Sequence, residues 1–201
     1  MLPAVRSVRF GVKFAQFYLC EPVQDPFQRT ERPDARLTSG LLSAVPGMVQ
    51  CMVGAQVQSV ALTAETHRSA PAAYLDDYED VVELSYLATQ AELDVVTWGE
   101  GRVEGLPLPA GQGSYRIRYH LRDMDPSGKA RVTADGCHVG ECLLQIWPAP
   151  TEDATQVKIT SMAARFWHPT ESSHISFGEA GLISPNATPE ALAALKRCGL
   201  L

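Results

Sequence analysis

The chain has 201 residues, 45% of them hydrophobic and 20% charged, with a formal net charge of -6. That length suits one domain, and the composition can bury a core, which excludes wholesale disorder. Net acidity argues against a nucleic-acid surface, which needs clustered Lys and Arg, and no window approaches the roughly 18 apolar residues of a membrane-spanning helix.

The first residues run straight into a strand pattern without the apolar stretch of a signal peptide, so a cytoplasmic protein is expected. Val8, Phe10, Val12 and Phe14 alternate with Arg9, Gly11 and Lys13, the period of a half-buried strand. The register slips at Ala15 and Gln16 before Phe17 and Leu19 resume it, which predicts a β-bulge. Pro22, Pro26 and Pro33 break residues 21–39 into a long loop with room for one helical turn. Residues 48–53 and 57–64 read as two strands around Gly54. Residues 67–73 form a polar connection. Residues 81–87 are apolar on both faces, as a central strand requires. Leu93, Val95 and Thr97 alternate with Glu92, Asp94 and Val96. Gly99, Gly101 and Gly105 then flank a short strand that ends at residues 106–109.

The clearest pattern is residues 115–122. Tyr115, Ile117, Tyr119 and Leu121 alternate strictly with Arg116, Arg118, His120 and Arg122. The first set is expected in the core and the second outside it. An Asp at Ile117 or Tyr119 should therefore unfold the protein, while Arg116→Ala should cost far less. Residues 141–147 and 156–166 supply two further strands, separated by Pro148 and Pro150. Strands at this spacing without intervening helices predict an all-β fold, an antiparallel β-sandwich over residues 1–168. Residues 169–201 read as an extension with a short helix packed on the sandwich. There Thr188 is the N-cap, Pro189 the first helical residue, Leu192 and Leu195 the apolar face, and Gly199 the C′ position.

Catalytic signatures are missing from the sequence. There is no G-x-S-x-G elbow, no phosphate loop and no dinucleotide fingerprint. Five cysteines (Cys20, Cys51, Cys137, Cys142, Cys198) fit buried free thiols better than a disulfide framework. Cys137, His138 and Cys142, with His120 or His168, could ligate zinc, but the paired spacing of a structural site is lacking. Asp123-Met124-Asp125-Pro126-Ser127-Gly128 opens like a calcium loop, yet its twelfth position is Ala134 and a strand precedes it. The expectation is no metal and no cofactor. Trp98, Trp147 and Trp167 could form a platform for a carbohydrate or small molecule, although core or rim positions are the better account of them, since the chain has few large aromatics to spare.

Charge is unevenly spread. Residues 71–106 hold nine carboxylates and a single arginine, while the rest of the chain has 16 basic and 14 acidic residues. Asp76, Asp77, Glu79 and Asp80 fall within five positions, a patch that could dock a basic protein such as a toxin or nuclease. The competing account is internal: Glu92 and Asp94 could face Arg116 and Arg118 on a neighbouring strand.

Gln16-Phe17-Tyr18, the run L-P-L-P-A-G-Q-G-S-Y-R-I-R at 106–118, and Gln145-Ile146-Trp147-Pro148-Ala149-Pro150 together resemble a group of bacterial proteins. More remotely they are similar to the competence-protein-J family, whose known member inhibits a DNA-entry nuclease. The resemblance covers residues 8–150 and rests on fold-building motifs, so it implies architecture first. By function it implies a non-enzymatic inhibitor or immunity-type protein. It assigns no binding residues.

Overall fold

A computed structural model describes residues 4–22, 34–54, 57–98, 101–125, 131–132 and 138–168, with Pro189 and Ala193 as isolated positions. In chain order the strands are β1 (Ala4–Lys13), β2 (Gln16–Cys20), β3 (Leu42–Val45), β4 (Met48–Met52), β5 (Val57–Thr66) and β6 (Asp80–Ala88). They continue as β7 (Glu92–Thr97), β8 (Gly101–Pro107), β9 (Gly113–Arg122), β10 (Arg131–Val132), β11 (His138–Pro148) and β12 (Thr155–Lys158), followed by helix α1 (Met162–Trp167). A 3-10 turn at Ala35–Leu37 fills the helical turn expected in the long loop.

All strands belong to one curled half-barrel rather than two separate sheets. The path runs β12-β6-β9-β11-β5-β1-β2-β4-β3, and β7 joins β2 to β8. The all-β class stands, but the expected purely antiparallel arrangement is corrected. β11 inserts between β9 and β5 and lies parallel to β5, with Val139 opposite Ser59 and Ile146 opposite Thr66. The slip at Ala15 is a tight turn, not a bulge within one strand. Lys13 pairs with Gln16 around two left-handed residues, Phe14 (φ 60°) and Ala15 (φ 56°). β1 thereby ends on β5, while β2 restarts between β4 and β7.

Residues 156–166 are not a strand throughout. β12 stops at Lys158, and Ser161 caps α1 by accepting from the Ala164 N–H at 3.0 Å. Met162, Ala163, Ala164 and Arg165 are good helix formers, which a β-period reading of this segment passes over. Gly40 (φ 77°) makes room for α1, because a Cβ there would lie 2.3 Å from the Trp167 carbonyl oxygen. The helix expected over residues 189–198 falls outside the described residues except for Pro189 and Ala193, both helical.

The core fills the hollow of the half-barrel. Phe10 and Phe17 meet edge to face at 5.3 Å, and Phe17 meets Tyr119 at 6.1 Å. Each such buried side chain contributes about 1.5–3 kcal/mol. The inward file of β9 is as expected, with Tyr115, Ile117, Tyr119 and Leu121 all at 1% exposure or less.

Tyr115 also explains the turn motif before β9. Its hydroxyl donates to the Gly111 carbonyl at 2.8 Å and accepts from the Ala110 N–H at 3.0 Å. One side chain thus holds the tight turn that aims the chain into the sheet. Tyr115→Phe should lower stability by about 1–3 kcal/mol, the cost of a pair of part-buried hydrogen bonds. A urea midpoint unchanged from wild type would refute this role.

Candidate functional site

The outward file of β9 builds a polar layer, because each strand beside it sets complementary groups opposite. Arg118 faces Glu83 on β6 and Gln145 on β11, while Arg116 faces Ser85 and Trp147. Glu83 bridges both guanidiniums, at 3.0 Å from Arg116 Nε and 2.6 Å from Arg118 Nε. Burial pushes the Glu83 carboxyl up, but hydrogen bonds from Arg118 and Arg116 outweigh it and the net shift is downward. Arg118 stacks over Trp147 at 4.9 Å.

The internal pairing of Arg116 and Arg118 exists, but with a different acid from the expected ones. β7 pairs with β2 and β8, never with β9, so Glu92 and Asp94 bind Arg102 at 2.9 and 2.7 Å instead. Arg116 is also no surface residue. At 4% exposure it donates to Ser85 Oγ, the carbonyls of Glu152 and Asp153, and Thr155 Oγ1.

Over this layer lies the acidic segment, held by its backbone. Arg118 donates to the Pro71 carbonyl at 3.0 Å, and Lys158 Nζ donates to the Leu75 and Tyr78 carbonyls, both at 2.7 Å. Tyr78 packs on His120 with ring centroids 5.1 Å apart and lies 5.3 Å from the Arg122 guanidinium, which pairs with Glu141 at 2.6 Å. The loop is therefore tied to the sheet at Pro71, Leu75 and Tyr78, and such tethering lowers the entropy lost on docking.

The four carboxylates of the expected patch separate into two pairs. Asp76 and Asp77 are exposed at the loop's outer turn. Asp80 is fully buried: it accepts from the Thr160 N–H (2.7 Å), the Ser161 N–H (3.0 Å) and the Ser161 hydroxyl. Glu79 is half-buried, and burial, then the neighbouring Asp80, Asp125 and Asp123, push its carboxyl up against a single hydrogen bond from the Met124 N–H. Asp80 thus anchors the entry to α1 and faces no partner. The alternation of its strand carried the signal, since Asp80 immediately precedes the apolar run.

Among the described residues, the suspected metal ligands do not converge. Cys142 points into the core, 3.1 Å from the Tyr119 hydroxyl, and burial pushes its thiol up to about 12. His120 lies on the opposite face of the sheet. Cys137, Cys198 and the side chain of His138 lie outside the described residues, among which no three ligands meet. Asp125 caps α1, accepting from the Met162 and Ala163 N–H groups, both at 2.9 Å. The tryptophans form no shared platform. Trp98 donates to the Tyr18 hydroxyl, Trp147 lies under Arg118, and Trp167 donates to the Val53 carbonyl. The sequence reading missed Tyr74, Tyr78 and Lys158. Two tyrosines four apart around Asp76-Asp77 were the available signal.

No family model and no curated protein matches the chain. Among solved structures, the product of crocagin biosynthetic gene J aligns over 75% of this chain and all of its own, at 17% identity and a TM-score of 0.49. ComJ from Bacillus subtilis, an inhibitor of the DNA-degrading activity of NucA, aligns over 74% of this chain and all of its own, at 11% identity and a TM-score of 0.53. The chain therefore shares with ComJ a remote likeness of fold, and the resemblance read from its turn and strand motifs is met by that likeness.

Proposed function

We propose that this protein is a non-enzymatic inhibitor that binds a basic protein partner, a nuclease in the first instance, through the exposed turn at Asp76 and Asp77. The observation that carries the reading is the likeness of fold to a nuclease inhibitor. The acidic loop, tied down by Arg118 and Lys158, supports it, since a patch of one sign steers encounter with an oppositely charged surface. Asp80 and Glu79, turned inward, hold the loop's end and take no part in contact.

The test uses the tagged protein as bait in cells of its source, followed by a DNA-degradation assay on any nuclease it retains. Wild type should retain a nuclease and suppress its activity at one-to-one stoichiometry. Association should slow with added salt, as the Debye length shortens to about 8 Å at 0.15 M. Asp76→Lys with Asp77→Lys should abolish retention at physiological salt without changing the melting temperature, because both side chains are exposed. Retention that survives the double reversal would place the interface elsewhere. A retained nuclease that still degrades DNA would end the inhibitor reading.

A further inference from the structure

The outward file of β9 places His120 between Arg118 and Arg122, two positions away on either side. The histidine is fully buried all the same. Val81 of β6 and Leu143 of β11 stand beside it, and two tyrosines of the acidic loop pack on its ring. Its centroid lies 5.1 Å from that of Tyr78 and 6.3 Å from that of Tyr74. Nδ1 faces the Leu143 carbonyl at 3.4 Å, which puts the proton of the neutral ring on that nitrogen. Nε2 is closed to solvent and has no hydrogen-bond partner. The site suits a neutral ring only, because a second proton on Nε2 would be a buried donor without an acceptor.

The charges around the ring do not offset this. Arg118 and Arg122 oppose a second positive charge from β9 itself, and Lys158 of β12 holds the Leu75 and Tyr78 carbonyls of the covering loop. The carboxylates that would favour it are already engaged. Glu65 of β5 accepts from His67 and Gln145, Glu83 of β6 from Arg116 and Arg118, and Glu141 of β11 from Arg122. Asp77 of the loop is exposed, where salt screens it. Burial, the largest influence, outweighs the Leu143 carbonyl, Glu65 and Glu83 and, helped by Arg118, lowers the His120 pKa to about 4. Residues 71–78 belong to no strand and are tied down through the carbonyls of Pro71, Leu75 and Tyr78. A segment so attached can open without the core.

We propose that His120 and the loop over it form an acid-sensitive latch: a proton on Nε2 lifts Tyr78 and Tyr74 from the sheet and releases residues 71–78, while the core stays folded. With the loop released, the ring is hydrated and titrates near its ordinary value of 6.5. Above that value neither state carries the charge, and the closed state prevails. As pH falls from 6.5 toward 4, the open state takes the proton and the closed one does not. The ratio of open to closed should therefore rise roughly a hundredfold between pH 7 and pH 4. Release frees the turn that carries Asp76 and Asp77, so docking through it weakens in acid. That consequence rests on the partner-binding reading; the latch itself does not.

The test follows the whole chain by NMR, with labelled histidine, arginine, tyrosine and phenylalanine, from about pH 7 to about pH 3.5, a range that spans both values of the histidine. The Nε2 shift reports the charge on His120, its ring contact with Tyr78 reports the loop, and the Phe17–Tyr119 contact reports the core. His120 should gain its proton and lose Tyr78 with a single midpoint below 6.5, while Phe17 and Tyr119 stay together. His120→Gln, which does not titrate, should keep Tyr78 on Arg122, 5.3 Å apart in wild type, across that midpoint. A charged His120 still touching Tyr78, or a loop still closed at the acid end, would overturn the proposal. So would loss of the core contact at the same midpoint, or release of the loop in His120→Gln at the wild-type midpoint. The wild-type titration decides the matter even if the variant does not fold. No nuclease takes part, so a latch that fails leaves the inhibitor reading intact, and a protein that restrains no nuclease leaves the latch intact.

Discussion

Glu83→Ala should destabilise the protein by roughly 3–5 kcal/mol, the range for removing one partner from a buried ion pair. The side chains of Arg116 and Arg118 are only 5% and 11% exposed, and Glu83 is the carboxylate that both reach. Its loss leaves two positive charges in a layer that water barely enters. The coupled effect spreads further, because Arg116 also holds the Glu152 and Asp153 carbonyls and Arg118 holds the acidic loop at Pro71. Acidification should imitate the mutation. The folded Glu83 carboxyl titrates below its ordinary value of 4.5, so its stabilising effect is complete above that value and is lost as pH falls through the lowered one. Urea midpoints measured from pH 7 to pH 3 should therefore show a flatter acid decline in Glu83→Ala than in wild type. Parallel declines would mean that Glu83 is not the group that titrates. Arg116→Ala, which the alternation of β9 alone makes a mild surface change, belongs in the same range as Glu83→Ala.

Asp80→Ala should cost about 3 kcal/mol or more, since three hydrogen bonds converge on this one buried charge and each bond to a charged group is worth about 1.5–3 kcal/mol before compensation. Two donors are the backbone N–H groups of Thr160 and Ser161, just ahead of α1. Without the carboxylate they are stranded, and the helix loses the anchor of its first turn. Asp80→Asn keeps an acceptor of the same shape and should recover a substantial part of the loss. Chemical denaturation of both variants, with near-ultraviolet circular dichroism reporting the Phe166–Trp167 ring pair, separates anchoring from a general loss of fold. If Asp80→Ala denatures like wild type, Asp80 is not the anchor described here. A charge-reversal test of the acidic loop must therefore use Asp76 and Asp77 and leave Asp80 alone.

What could be read from the sequence followed the strength of local periodicity. Tyr115 to Arg122 alternate without exception, and their two files take opposite faces as predicted, but Arg116 and His120 of the outward file are buried beneath other segments instead of lying at the surface. Asp80 to Ala88 likewise form a strand buried on both faces apart from the exposed Leu87, as the apolar run at 81–87 implies. The parallel pairing of β5 with β11 was not legible, because alternation records which face a residue takes and carries no information on strand direction or neighbour. The same blindness misassigned the partners of Arg116 and Arg118, since choosing Glu83 over Asp94 depends on sheet order. Helix α1 was missed because its six residues are shorter than two turns, and its start is specified by Asp80 and Asp125, two side chains distant in sequence. Of the acidic patch, the cluster was visible and its division into outward and inward pairs was not.

The insertion of β11 between β9 and β5 has a consequence for how the chain assembles. Gln145 lies opposite Glu65, 80 positions earlier, so the middle of the sheet closes only after the intervening chain, which holds β6 to β10, has been made. Non-local pairing of this kind places folding on the millisecond-to-second scale rather than the microsecond scale. During synthesis β5 and β9 leave the ribosome before β11, and each then offers an unpaired edge of ten residues. Such edges are templates for association between nascent chains. A chain released before residue 138 should therefore aggregate, whereas one that includes β11 fills the gap between β9 and β5 itself.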